Sequence, residues 1–248
     1  MEQITIIIPS HLRAEKVSTT NIVSGGVLCV AEAQADAYRN AHPNTEIIAH
    51  PNNVIGLPPK LEWIRKNVGG NLFYLDDDVK SFTRLYTEKG EPAKVDDPCM
   101  VREIIEKTAW QARQAKAYLF GFNHSPMPQS YSGHKPIEMS GFIMGGATGL
   151  LGGSKLYWNE DMKIGGDMWI SCLNAYYHRR IFKDMRYAFT FKDTFVNEGG
   201  LSEFRNIERE KEKYDILKRF FGNAIQPKKD TRFAKRKHPY MITMDLPF

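Results

Sequence analysis

Long apolar runs are missing from this chain of 248 residues. No stretch approaches the roughly 18–20 apolar residues that a membrane-crossing helix requires, so no α-helical membrane span is expected. The opening Met1-Glu2-Gln3-Ile4-Thr5-Ile6-Ile7-Ile8-Pro9 has no basic stretch ahead of its apolar run. That run also falls short of the about 7–15 apolar residues of a secretory signal. It reads as a strand, and a cytoplasmic protein is the expectation. Cysteine is scarce as well: Cys29, Cys99 and Cys172 lie far apart, with no CxxC pair and no Cys/His spacing of a zinc site. A disulfide framework and a structural zinc are thereby excluded, and reduced thiols are expected. Internal repeats and low-complexity segments are absent too, and an apolar fraction of 42% is enough to fill a core, so a disordered chain is excluded.

What is present is a charge excess confined to one place. The net charge is +5, and residues 207–238 carry eleven Lys/Arg against five Asp/Glu, leaving the rest of the chain nearly neutral. Lys228-Lys229 and Lys235-Arg236-Lys237-His238 belong to this segment. Such a patch attracts polyanions by counterion release, or it is simply a solvated helix face with a charged tail.

The first seventy-five residues alternate strand and helix. Ile4–Ile8 is a continuous β-branched run, the pattern of a strand buried on both faces. Val27–Ala31 and Thr45–Ala49 read as the second and third strands, with a helix over Glu32–Ala41 between them. Pro58-Pro59 opens a helix over Lys60–Asn67, which Gly69-Gly70 ends, and Asn71–Leu75 is a fourth strand. Repeated β-α-β units with short connections predict an α/β fold with a mostly parallel sheet. Farther on, Pro98–Ala117 is helical, Ala117–Phe122 is a strand and Asn123–Pro136 is a long loop. Glicine-broken stretches over Glu138–Leu151 read as paired strands, with a helix over Asp167–Phe182, a strand over Arg186–Phe191 and a charged helix over Glu203–Phe221 following.

The fourth strand runs directly into Asp76-Asp77-Asp78. Three carboxylates at the exit of a buried strand repel one another and call for a compensating cation. In open α/β sheets ligands bind at the carboxyl ends of strands, where this triplet falls. Hard cations such as Mg²⁺ or Mn²⁺ take one or two carboxylates and complete their shell with water and phosphate oxygens. The bland alternative is an acidic turn whose Asp76 or Asp77 caps a following helix. A second acidic site lies at Trp158-Asn159-Glu160-Asp161 and Gly165-Gly166-Asp167, where Asp167 is suited to capping a helix. Gly199-Gly200-Leu201-Ser202-Glu203 precedes the helix bearing Arg205; it can cradle phosphate with Arg205 adding a bidentate contact, or form a plain turn capped by Ser202. His124, His134 and His238 have no assigned partner in the sequence.

The order of these motifs resembles the GT-A glycosyltransferases, whose D-x-D motif follows the fourth strand of a nucleotide-binding half. The resemblance covers residues 4–191. It implies a GT-A-like, Rossmann-like sheet flanked by helices, divided as 1–195 for the catalytic domain (1–80 nucleotide-binding, 81–195 acceptor half) and 196–248 for a helical and basic extension packed on it. It implies that Pro9, Ser10, His11 and Arg13 receive the nucleotide, that Pro51-Asn52-Asn53 through Lys60 passes over base and ribose, and that Asp76 and Asp77 lie near the donor. By the same resemblance Asp78, with Asp76, binds Mn²⁺ or Mg²⁺, His238 is a late metal ligand, and Asp167 is the general base, with Glu160 and Asp161 its substitutes. The implied donor is a UDP-sugar. The absent membrane anchor and the basic C-terminal segment further resemble the phage glycosyltransferases associated with TET/JBP-type dioxygenases, which implies a hydroxymethylpyrimidine in DNA as acceptor. Two alternatives remain at this point: a nucleotidyltransferase of the same fold, and a non-catalytic nucleic-acid-binding module.

Overall fold

The computed structural model describes residues 3–87, 93–192, 206–229 and 237–246. Strands β1 (Thr5–Pro9), β2 (Val27–Ala31), β3 (Ile47–His50) and β4 (Leu72–Leu75) form the amino-terminal half, with α1 (Ala35–Ala41) and α2 (Leu57–Asn67) in the crossovers. Their pairings β2–β3, β1–β2 and β1–β4 are all parallel. Strand β5 (Val79–Arg84) follows the aspartates immediately, then β6 (Ala93–Lys94), α3 (Pro98–Gln114), β7 (Leu119–Asn123), β8 (Ile137–Glu138) and β9 (Ala147–Leu150). Helix α4 (Gly166–Tyr177), the long β10 (Ile181–Phe191), α5 (Ile207–Phe221) and the hairpin β11 (Ile225–Pro227) and β12 (Ile242–Met244) complete the described chain. The main sheet has the order β3-β2-β1-β4-β9-β7-β10-β5-β6, with β8 on β10. It is mixed: β7–β10 is parallel, whereas β9 runs antiparallel to both β4 and β7. The α/β architecture expected from the alternation is therefore present, with helices on both faces.

Alternation of side chains along β1 explains the two layers. Ile6 enters one buried cluster with Phe73 and Leu75, against Val101, Ile105, Ala109 and Ala112 of α3. Ile7 enters the other with Leu61 and Ile64 of α2 and Trp169, Ile170 and Leu173 of α4. Each fully buried Ile or Leu contributes about 1.5–3 kcal/mol of apolar transfer, so a one-residue slip of β1 would exchange both sets and lose most of this stabilisation. Leu217 of α5 and Ile225 of β11 join the second cluster, which seats the carboxyl-terminal hairpin against α4. At the centre, Gly149 of β9 faces Phe120 of β7 so closely that a Cβ would lie 2.0 Å from the ring. No other residue fits there.

Three sequence expectations are corrected. The stretches within 138–151 do not pair with one another: β8 pairs with β10, while β9 inserts between β4 and β7. The helix expected over Asp167–Phe182 stops at Tyr177, because His178 and Arg179 both donate backbone N–H groups to the Asn174 carbonyl and Arg179 turns to φ +63. Ile181 and Phe182 then pair with Leu119 and Phe120 as strand. Helix α5 is capped by Asn206, whose side chain accepts the Arg209 N–H at 2.9 Å. The Gly199-Gly200 turn, Ser202 and Arg205 lie outside the described residues.

Candidate active site

The triplet sits where β4 ends and β5 begins, so Asp76 and Asp77 cap no helix. Its backbone is clamped from the β1–β2 connection. Thr19 Oγ1 donates to the Asp76 carbonyl at 2.6 Å and accepts the Val79 N–H at 3.0 Å. The Ser18 N–H donates to the Asp77 carbonyl at 2.9 Å, and Ser18 Oγ to the Val79 carbonyl at 2.8 Å. From the other side the Asp76 N–H donates to the Gly146 carbonyl at 2.9 Å. The turn is thus fixed before any ligand arrives.

The three carboxylates have different surroundings. Asp77 is consumed internally: Ser10 Oγ donates to its Oδ2, and Arg13 Nη1 reaches its Oδ1 at 3.2 Å. Ser10 also shares a 2.7 Å hydrogen bond with the Tyr38 hydroxyl, which accepts the Arg13 N–H at 3.0 Å. Pro9, the last residue of β1, delivers Ser10 to this knot. Asp78 is buried; its Oδ2 lies 3.8 Å from Arg13, and its Oδ1 is shielded from solvent with no hydrogen-bond partner among the described residues. Burial and the Asp77 charge push its pKa up to about 6, against the pull of Arg13. Asp76 is pushed further, to about 7, by burial and then by Asp78, Asp77 and Asp167.

Asp167 faces this pair from α4. A Cβ built on Gly145 would come within 3.1 Å of the Asp167 Cβ, and the next residue, Gly146, holds Asp76. The helix cap is Gly165 at φ +78, so Asp167 occupies the first turn and its Oδ1 accepts the Met168 N–H at 2.9 Å. A carboxylate in the first turn is favoured by the helix dipole. The structure brings Asp76, Asp78 and Asp167 to one edge of the sheet.

Other expected residues are distributed around this centre. Lys60 is buried and donates from Nζ to the Ser10 carbonyl at 2.6 Å; burial lowers its pKa to about 8. His11 contacts Gln34 through Nδ1 at 3.1 Å, farther along the same loop. His238 lies against α5, Nε2 to Glu210 Oε2 at 3.6 Å, while Lys213 of α5 pairs with the same Glu210 and packs against Gly165. Glu160 is paired with Lys66. Among the described residues, no three His, Cys, Asp or Glu side chains converge as a metal-binding group. The pair Asp76 and Asp78 nonetheless fits a hard cation, since one buried oxygen lacks a partner and both acids are held at raised pKa, by burial first and then by neighbouring carboxylates.

Sequence reasoning missed Thr19, Tyr38 and Glu62. Glu62 on α2 binds Arg65 through both oxygens and accepts the Trp158 N–H at 3.0 Å, tying α2 to the segment before α4. Leu12 is held at φ +54 with its side chain exposed in the loop that carries His11 and Arg13. A polar residue forbidden from solvent leaves no local pattern; only the run Ser18-Thr19-Thr20 hinted at a turn.

The α/β sheet thus gathers Asp76 and Asp78 beyond its fourth strand, opposite Asp167 in the first turn of α4. Residues 4–200 match the TET-Associated Glycosyltransferase family, and the chain belongs to that family. Among solved structures it is similar to S. aureus TarS, with 11% identity and a TM-score of 0.49 over 87% of this chain and 40% of that one. A structure of S. aureus TarS 1-349 in complex with UDP has 11% identity and a TM-score of 0.45, covering 87% of this chain and 65% of that one. The chain therefore spans less than two thirds of either TarS chain. No curated protein matches it significantly. Among the described residues no helix is long and apolar enough to cross a membrane.

Proposed function

We propose that the protein transfers a sugar from a nucleoside-diphosphate sugar, UDP-sugar being the first to test, to the hydroxyl of a hydroxymethylpyrimidine in DNA. The observation that carries the donor half is the pair Asp76 and Asp78, raised in pKa and facing Asp167 across the 145–146 turn. The DNA acceptor draws its support from family membership and from the basic carboxyl-terminal segment.

Asp76 and Asp78 would hold Mn²⁺ or Mg²⁺, which when bound neutralises charge on the diphosphate leaving group. Asp77 keeps Ser10 and Arg13 in place, so the loop after β1 offers a rigid wall to the nucleotide. Arg13 and Lys60 supply positive charge near the donor phosphates. Asp167 takes the proton of the acceptor hydroxyl as its oxygen bonds to the sugar carbon. The bond from that carbon to the phosphate oxygen breaks, and its electron pair leaves with the diphosphate. Attack opposite the departing nucleotide gives inversion. A base within duplex DNA has to leave the stack to reach this point.

The test is product analysis with UDP-sugars, divalent cation and DNA containing hydroxymethylcytosine or hydroxymethyluracil. Free nucleoside diphosphate with glycosylated DNA supports the reading, and Asp78→Asn should abolish cation-dependent donor binding. Release of pyrophosphate would instead establish nucleotidyl transfer. Full turnover by Asp78→Asn would overturn the assignment of this carboxylate.

A further inference from the structure

One short stretch of backbone joins the two acidic ends of the site. The Asp76 N–H donates to the Gly146 carbonyl at 2.9 Å, which anchors the cation end on that residue. Its neighbour Gly145 abuts Asp167: a Cβ built there would stand 3.1 Å from the Asp167 Cβ and 3.5 Å from both its Cγ and its Oδ2. Asp167 Oδ1 accepts the Met168 N–H, so Oδ2 is the oxygen turned toward the glycine.

The stretch is held at several points. Thr148 Oγ1 donates to the Met144 carbonyl at 2.9 Å, and the Ile143 N–H donates to Ser171 Oγ at 3.3 Å. Ser171 is buried and stands four residues beyond Asp167, on the same face of α4. Helix α4 is therefore fastened to this segment at Ser171 and rests against it at Asp167. Gly146 meets a different neighbour: a Cβ there would lie 2.7 Å from the Cζ of Phe191, the last residue of β10. Neither glycine has a φ in the left-handed region, so what the pair supplies is space for close approach and not a special conformation.

We infer that Gly145 and Gly146 form the spacer that sets Asp167 against the Asp76 and Asp78 pair, with Gly145 a positioning residue for the base. The inference rests on the base and cation roles proposed above and deepens them. A carboxylate base has to lie within hydrogen-bond reach of the hydroxyl it deprotonates, whereas the sugar carbon is placed by the diphosphate and its cation. The separation of the two groups is thus the quantity the fold must hold, and an error of about 1 Å costs about 10²-fold in rate. Carbon atoms pack at about 3.5 Å or more, so a methyl group on Gly145 displaces Asp167 by about 0.4 Å. On the same scale that is a loss of about fivefold. The methyl group of an alanine at Gly146 acts on the other end, by moving the carbonyl that holds Asp76.

Two measurements on the full chain test this: UDP release from UDP-glucose with Mn²⁺ and DNA containing hydroxymethylcytosine, and calorimetric titration of UDP with Mn²⁺. Gly145→Ala should lower kcat about fivefold with UDP affinity unchanged. Added to Asp167→Asn it should cost nothing more, because the base that it displaces is already gone. Gly146→Ala should weaken Mn²⁺-dependent UDP binding about tenfold, the usual effect of disturbing a group that orients a metal ligand. Phe191→Leu added to it should restore the affinity, since leucine lacks the Cζ and Cε atoms that the new methyl group meets. Thermal unfolding checks that each variant is folded. An equal fractional loss from Gly145→Ala in wild type and in Asp167→Asn overturns the inference, and so does wild-type UDP affinity in Gly146→Ala. Full turnover by Gly145→Ala where Asp167→Asn is impaired overturns the spacer and leaves the base standing. Full turnover by Asp167→Asn sinks the base itself, and the role of Gly145 with it.

Discussion

Replacing Asp76 with asparagine should stabilise the ligand-free protein while disabling it. Burial and the carboxylates of Asp78, Asp77 and Asp167 raise this acid from 3.8 to about 7. Because the folded value lies above the unfolded one, the folded state holds the proton more tightly. Stability is therefore lost as pH rises from about 4 to about 7, and the penalty is complete above that range. Roughly three pH units at 1.36 kcal/mol each set a ceiling of about 4 kcal/mol. Asp76 retains partial solvent access, which screens the charge, so about 2 kcal/mol is the expected gain. For a chain of this size that is a rise in Tm of about 4–8 °C at pH 8. At pH 5 most of the penalty has not developed, and the gain should shrink to less than half. Thermal unfolding of wild type and Asp76→Asn at both pH values, with and without Mn²⁺ plus UDP, is the assay. Wild type should gain stability from the ligands and the variant should not. A variant Tm at pH 8 equal to or below wild type would refute the like-charge account of the triplet.

Asp167→Asn should lower the rate of sugar transfer by about 10²-fold or more while calorimetry shows donor affinity unchanged, since only the proton acceptor is removed. Gly149→Ala places a Cβ 2.0 Å from the Phe120 ring in the centre of the sheet; urea unfolding should register a loss of about 3 kcal/mol or more, or a failure to fold. His50 is buried beside Lys60 and its pKa is lowered to about 4, by burial first. The unfolded chain binds its proton more readily, so stability should fall as pH drops from about 6.5 to about 4; His50→Leu should flatten that acid limb in a pH series of unfolding curves.

The strands of the amino-terminal half were legible because each is a short apolar run, and in β1, β2 and β4 burial on both faces leaves no alternation to misread. Strand β5 was not, since Lys80 and Arg84 interrupt its buried Val79, Phe82 and Thr83 and the aspartates before it draw attention to ligand chemistry. The end of α4 was misjudged because Ile181 and Phe182 continue an apolar pattern; an arginine in the left-handed region stops the helix where a glycine would have announced it. At the site, the position of the triplet followed from the run of β4, but the separate environments of its members did not. Those depend on Ser10, Arg13 and Thr19, which approach from 67, 64 and 57 residues away, and on Tyr38, which holds Ser10 and Arg13 from 28 and 25 residues away. Long-range polar contacts have no period.

Those environments divide the labour within three consecutive identical residues. In the turn between β4 and β5, Asp77 meets Ser10 and Arg13 of the loop after β1, where two donors consume its charge and make it a strut. Asp76 and Asp78, one residue to either side, are left with raised pKa and a buried oxygen without a partner. The folded chain thus carries repulsion that a cation and diphosphate would relieve, and binding strengthens by the amount of that relief. Removing the strut and removing a ligand should consequently differ in kind. Asp77→Asn loosens Ser10 and Arg13 and destabilises the fold, whereas Asp76→Asn relaxes the fold and loses the ligand. In this chain the middle carboxylate is spent on Ser10 and Arg13, while Oδ1 of Asp78 is left without a hydrogen-bond partner among the described residues.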